Sequence, residues 1–446
     1  MHHKEMCNIS CAQNSYMNFV ATESRLIELN FKNSLAAKPA YNIDGYTMNQ
    51  LCFRCKGRGY CNRGFCAIKQ KIQVQKTFNE GAKKEFFGEN YNVFVGKFGY
   101  PDINVGLLNI AEPKKDETID NPLLWSKDEY DINKIINLRS NLINSNFKTQ
   151  IKGFNDKFMD LVQEVSLTDR PVDTEITLEK KPQFKLTFNQ DTTPFGPSIK
   201  LEKARTTENV HIPTKVDKVV NDEMTAVEGL TELHKKGFDG YYLTKIFSVG
   251  NLGLDANKKL VPTRWSITAV DDTLGKDIIK EIKDYQVVSE YKIYFGGYLG
   301  NNYLIMLLPE VWSYELFEMQ TSSPSTMHDF ENYYGRKVYA DETAGGYYAA
   351  RFSILQQLKS LRRQATILAL RLVTDDYWAP LGVWVVREAV KKAMSNRPLE
   401  FATKEDMINY TINFAKQKFN YDLTPMIKNS ELLRQIKTQK KINEYS

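Results

Sequence analysis

Histidine is scarce in this chain: there are five in 446 residues, and only His211, His234 and His328 lie away from the first few positions. None forms H-E-x-x-H or sits at metal-ligand spacing from another, and no Cys–His nucleophile pair suggests itself. That argues against a histidine-dependent hydrolase. Neither G-x-x-x-x-G-K-[ST] nor G-x-G-x-x-G occurs, so no glycine loop reads as a nucleotide cradle. No apolar run is long enough to span a bilayer, and no signal-peptide core precedes a cleavage site. The chain therefore reads as cytosolic (cytoplasmic). Nothing marks the chain as secreted, so its six cysteines are not expected to form disulfides. No repeat of fixed period is visible.

What is present suits a globular protein of two or three domains. Apolar residues make up 42% and aromatic residues 12%. Sixty basic and 54 acidic residues leave a net charge of +6. That excess is mild, so its placement is more informative than its size.

Cys52, Cys55, Cys61 and Cys66 fall within fifteen residues, spaced C-x2-C-x5-C-x4-C. Thiolates are good ligands for a tetrahedral Zn²⁺, and a closed Cys₄ site folds a segment too short for its own core. The spacing also admits an iron–sulfur cluster. Between Cys52 and Lys71 lie Arg54, Lys56, Arg58, Arg63, Lys69 and Lys71, with no acidic residue among them. Four thiolates and one Zn²⁺ carry −2, which leaves the module at +4. Gly57, Gly59 and Gly64 permit tight turns, and Phe53, Tyr60 and Phe65 offer faces on which bases can stack. Such a knuckle suits nucleic-acid contact, with Arg54, Lys56, Arg58, Arg63 and Lys69 on phosphates; a purely structural metal is the plainer reading.

Five regions follow from the pattern. They are an N-terminal arm (1–45), the Cys₄ module (46–75), a mixed α/β central domain (76–335), a helical C-terminal domain (336–425) and a flexible tail (426–446). Val93–Val95 reads as a strand, and Gly96, Gly99, Pro101 and Gly106 as a sheet-corner loop after it. Ile132, Ile135, Ile136 and Leu142 have helical spacing. Residues 172–178 and 184–188 alternate like strands. One helix is expected over 221–236, stopping at Gly237. Strands are expected at 241–247, 264–270 and 304–308. From Tyr348 through Leu358 and Ala365 to Leu372, apolar residues recur at helical steps. Further helices are expected near 383–394 and after Thr403.

Three constellations could carry chemistry. In VPTRWSITAVDD, a strand reading puts Asp271 and Asp272 at a strand end, where paired carboxylates can hold Mg²⁺. Arg264, Arg336, Arg351 and Arg363 could converge on a phosphate; the alternative is structural ion pairing with Asp271, Glu310 or Glu388. Gly345-Gly346-Tyr347-Tyr348 could open a helix N-terminus toward an anion, or only allow close packing.

Several segments together resemble the archaeal Nre DNA-repair family: LCFRCKGRGYC, VGKFGYPDINVG, RPVDTEI, LVPTRWSITAVDD, YGRKVYA, GGYYAARFSILQQLKSLRRQA and GVWVVRE. They span most of residues 50–390. The resemblance implies a role in repairing DNA damage alongside nucleotide-excision repair proteins and the sliding clamp (PCNA). It implies no particular reaction. Such proteins end in a clamp-binding peptide, Q-x-x-(aliphatic)-x-x-(aromatic)-(aromatic). Here Gln439, Ile442 and Tyr445 fill the first three key positions, while Ser446 stands in for the last aromatic. Ile442 and Tyr445 would plug an apolar clamp pocket, with Lys440 and Lys441 facing an acidic rim.

The expectation is an α+β protein with a Cys₄ zinc knuckle, a mixed α/β centre and a helical C-terminal region. Its function would be that of a DNA-binding repair factor with no membrane partner. The rival is a metal-dependent enzyme acting on DNA or nucleotides, with Arg264, Asp271, Asp272, Arg336 and Arg351 as its site. A zinc-stabilised adaptor without nucleic-acid contact is a third class.

Overall fold

The structure, a computed structural model, describes residues 83–111, 116–183 and 196–438. The Cys₄ module, the strand expected at 184–188 and the C-terminal octapeptide lie outside the described residues.

The first half builds a closed five-stranded barrel from β1 (Glu85–Val95), β2 (Asp102–Ile110), β3 (Ile143–Gln150), β4 (Val172–Leu178) and β5 (Ser198–Thr206), in the order β1-β2-β3-β5-β4. Neighbours are antiparallel except β3 and β5. Alternation sets the interior: Val172, Ile176 and Leu178 point inward to meet Val93, Val105, Leu107 and Phe147. The long β1 pairs with β4 through its first half and with β2 through its second. Gly88 makes that crossing possible, since a Cβ there would lie 1.8 Å from the Ile110 carbonyl oxygen. The glycine-rich segment after Val95 is the β1–β2 turn, and β2 starts at Asp102.

Between β2 and β3 come α1 (Pro122–Lys127) and α2 (Ile132–Ser140), and residues of and flanking α2 cover one end of the barrel's outer wall. Ile119, Leu142 and Leu138 pack there on Leu108 and Ile110. Asp131 caps α2 by accepting the Lys134 N–H at 2.8 Å. Between β3 and β4, α3 (Met159–Ser166) inserts Met159, Val162 and Val165 into the barrel core.

Four helices follow: α4 (Thr214–Val220), α5 (Ala226–Lys235), α6 (Gly240–Ser248) and α7 (Thr263–Ile282). Three sequence expectations are corrected here. The helix expected over 221–236 starts five residues later: Asn221 is the C-cap of α4, and Thr225 and Glu228 form the capping box that opens α5 at Ala226; Gly237 does follow its end, at φ +96°. The strands expected at 241–247 and 264–270 are helices. Asp239 caps the first, accepting the Tyr241 and Tyr242 N–H groups. The second buries Ser266, Val270, Leu274, Ile278 and Ile282, one per turn, a longer period than the five-residue window that imitated a strand.

The second half is a six-stranded sheet ordered β11-β6-β7-β10-β8-β9. Its strands are β6 (Tyr291–Tyr298), β7 (Asn301–Leu308), β8 (Ser313–Gln320), β9 (Thr326–Glu331), β10 (Thr366–Val373) and β11 (Leu399–Phe401). Only β8 and β10 are parallel. The helical reading of 362–372 is also corrected: α8 (Ala344–Leu361) ends where Arg362 turns left-handed (φ 52°), and TILALRLV is a fully interior strand. After it come α9 (Trp384–Ser395), α10 (Lys404–Phe419), α11 (Thr424–Asn429) and α12 (Glu431–Thr438).

One sheet face, with Leu304, Met306, Phe317, Leu368 and Leu370, packs on Met407, Ala415 and Met426 of α10 and α11. The other face carries Tyr314, Glu318 and Arg371 toward α8, as the contacts of Tyr347 and Gly346 show. Residues 426–438, expected within the tail, form the end of α11 and all of α12, with Leu432 buried. Among the described residues, no helix is long and apolar enough to cross a membrane.

Candidate functional site

The candidate residues of α7 meet those of α8 and α9 in a buried cluster of arginines and carboxylates. The helical period of α7 turns Asp271 inward with Val270 and Leu274. Asp271 is fully buried and ion-pairs with Arg387 of α9, whose Nε donates to one carboxylate oxygen at 3.1 Å and whose Nη2 lies 2.6 Å from the other. Arg351 of α8 is also buried. Its Nη1 donates to Glu331 of β9 at 2.7 Å, and its Nη2 pairs with Asp272. The same guanidinium lies 5.2 Å from the Tyr348 ring centroid and 5.7 Å from that of Tyr347.

The cluster continues outward. Lys276 reaches Asp272 at 2.8 Å. Tyr241 of α6 donates to Glu388 at 2.8 Å, and Arg387 lies over its ring. Arg336 pairs with Asp329 of β9 at 2.9 Å, and the other Asp329 oxygen accepts the Thr343 N–H and hydroxyl at the start of α8. Across the sheet face, Arg371 of β10 joins Glu318 at 2.6 Å and Asn301. Gly346 permits this, since a Cβ would come within 2.4 Å of the Glu318 carboxylate.

Burial opposes each charge, and the partners decide the outcome. It works against the Arg351 cation, but Glu331 and Asp272 outweigh it and hold the guanidinium charged above its ordinary value. Burial would also raise Asp272, yet Arg351 and Lys276 hold it below the usual carboxylate range. Burial pushes the Tyr241 hydroxyl well up, with Glu388 adding to it. Within this cluster Asp271 and Asp272 serve as acceptors for arginine. Among the described residues, no group of three or more His, Cys, Asp or Glu is placed to hold a metal ion. The arrangement fastens α7, α8 and α9 to β8 and β9.

The structure thus brings together Asp271, Asp272 and Arg351, and sets Arg336 on Asp329, two residues along β9 from the Glu331 that holds Arg351. Arg264 sits on the exposed first turn of α7, two turns before the carboxylates. Arg363 is exposed beyond the end of α8 and donates to the Arg362 carbonyl. The knuckle residues Cys52, Cys55, Cys61, Cys66, Arg54, Lys56, Arg58, Arg63 and Lys69 lie outside the described residues, as do Gln439, Ile442 and Tyr445. Sequence reasoning missed Glu331, Asp329 and the Glu318–Arg371 pair. A signal did exist for the last: one arginine inside the apolar run TILALRLV demands a buried partner.

A second buried carboxylate organises the C-terminus. Glu315 of β8 accepts the backbone N–H of Glu431 at 2.8 Å, that of Leu432 at 3.2 Å, and the Ser430 hydroxyl. It therefore caps α12 from within the sheet.

Two family models match most of the chain. That for the N-terminal part of archaeal Nre matches residues 60–326, and that for the C-terminal part matches 331–445. The chain belongs to the archaeal Nre family. It is 35% identical over 353 residues to the DNA repair protein NreA of Haloferax volcanii, covering 75% of this chain and 84% of that one. It is 32% identical over 395 residues to the DNA repair protein NreB of Archaeoglobus fulgidus, covering 86% and 97%. The NreA of the same organism is 34% identical over 368 residues, covering 80% and 92%. No solved structure matches the chain.

Proposed function

We propose that this Nre protein is a DNA-damage repair factor, a DNA-binding protein recruited by the sliding clamp and acting beside nucleotide-excision repair. The observation that carries this reading is the alignment, over most of both chains, with relatives named DNA repair proteins. Cys52, Cys55, Cys61 and Cys66 would hold one Zn²⁺, and the basic residues around them would contact phosphates. Gln439, Ile442 and Tyr445 would dock the clamp. The placement of α12 supports this role, because it ends at Thr438, one residue before Gln439, and is held at its start by Glu315. The tail would then leave the protein from a fixed point. The α7–α8–α9 cluster supports a binding protein over an enzyme, since Asp271 and Asp272 are spent on arginines.

Two measurements test the proposal. Elemental analysis should find one zinc per chain and no visible absorption; iron with colour would replace the zinc knuckle by a cluster. Clamp pull-down should be abolished by Ile442→Ala with Tyr445→Ala. Undiminished capture by that variant would remove the recruitment step.

A further inference from the structure

The barrel itself has the connectivity of the oligonucleotide-binding fold: order β1-β2-β3-β5-β4, a parallel β3–β5 pair, and a helix between β3 and β4 plugging one end. Connectivity alone assigns no function. The side chains at the open end are what matter.

The β1–β2 turn is held rigid and exposes an aromatic ring. Gly96 N–H donates to the Asn104 carbonyl at 2.8 Å, and Asp102 N–H to the Gly99 carbonyl at 2.9 Å. Tyr100 packs on Trp265 with centroids 5.2 Å apart, and the Val95 N–H donates to Thr263 Oγ1 at 2.9 Å. Phe98 at the tip is nonetheless 63% exposed, with Lys97 Nζ 5.2 Å from its ring centroid. Because Thr263 and Trp265 both touch the turn, the exposed Arg264 between them belongs to the same rim.

The adjoining wall is cationic. Asn104 stands opposite Lys148 on β2 and β3, and Asn146 opposite Lys200 on β3 and β5, with both lysines exposed. Among the described residues, no acidic side chain pairs with Lys148 or Lys200, and Asp102 is the one acid on β2 or β3. Elsewhere on the barrel, Arg205 pairs with Glu175 and Lys84 with Glu202. The far half of the β2 wall is covered by Ile119, Leu138 and Leu142, so the open half is the one beside the turn.

We propose that this face binds single-stranded DNA: Phe98 stacks on a base, while Lys97, Arg264, Lys148 and Lys200 track the phosphates. Every base has a face to stack on, so the site reads little sequence. The assignment rests on the repair reading only for the choice of DNA as the polyanion. It gives the chain a DNA contact independent of the Cys₄ knuckle, and it gives Arg264 a role outside the arginine–carboxylate cluster.

The test uses the full chain and fluorescence anisotropy with an oligothymidylate of about 20 nucleotides and a duplex of equal length. Wild type should prefer the single strand. Phe98→Ala should weaken binding roughly tenfold. Lys148→Glu with Lys200→Glu should weaken it at least as much and lower the salt slope by about two. All three sites are exposed, so circular dichroism should be unchanged. An oligonucleotide carrying 5-iodouracil should photocrosslink to Phe98. Wild-type affinity in these variants, a crosslink confined to the knuckle, or a preference for duplex would overturn the assignment while leaving the repair reading intact. Failure of the repair reading would show instead in survival of DNA damage without the gene.

Discussion

His328 Nε2 lies 2.5 Å from Glu315 Oε1, so the carboxylate that caps α12 also holds a histidine. Nε2 is the donor, because the other partners of Glu315 are N–H and O–H groups as well. Burial works against the imidazolium, but Glu315, with Glu342 and Asp329 beyond it, outweighs that and raises the His328 pKa above the ordinary histidine value. A raised histidine pKa contributes stability that is full below the unfolded value and is lost as pH rises through the folded one. Unfolding in urea should therefore show wild type weakening from about pH 6.5 upward. His328→Gln should lack that part of the slope.

Glu315→Ala should loosen the last helix before the rest of the fold. It strands the Glu431 and Leu432 N–H groups and the Ser430 hydroxyl, at about 1–3 kcal/mol for each buried group left unpaired. Hydrogen exchange should rise over Glu431–Thr438 and stay low in β7 and β10. Uniform loss of protection would mean that α12 is not a separately held element.

The Arg351 bridge should be costly to break from either side. Arg351→Ala leaves Glu331 buried and unpaired, a loss on the order of 3–5 kcal/mol. Asp272→Asn should cost less, since Asp272 is partly exposed and keeps Lys276. A double-mutant cycle of Arg351→Ala and Asp272→Asn should be strongly non-additive. Additive losses would mean the two side chains act separately.

Gly346→Ala tests the close approach of α8 to the sheet. The added methyl would collide with the Glu318 carboxylate and disturb its pair with Arg371. A loss of about 1–3 kcal/mol in urea unfolding is expected, although alanine is the better helix former. A stabilised variant would contradict the packing described.

Local structure was legible where one period ran long or one cap was unambiguous. The alternation of Val172–Leu178, the helical spacing of Ile132, Ile135 and Ile136 in α2 and the Thr403 cap of α10 were all readable, and the structure has them. Short apolar windows were not. Trp265, Ile267 and Ala269 alternate like a strand, and only Leu274, Ile278 and Ile282 further on show that the period is helical. TILALRLV is buried on both faces, so it has no periodicity to distinguish strand from helix. Within the cluster, Asp271, Asp272 and Arg351 could be named from the sequence. Their partners could not, because Arg387 is 116 residues from Asp271, and Arg351 is 79 from Asp272. The barrel's closure depends on β1 pairing with β4, which likewise leaves no local trace.

The most direct test is survival of an archaeal strain lacking this gene after DNA damage by ultraviolet light or a crosslinking agent. The deletion should be sensitised, the wild-type gene should restore survival, and a gene carrying Ile442→Ala with Tyr445→Ala should restore it poorly. A deletion strain as resistant as its parent would contradict a role in DNA repair.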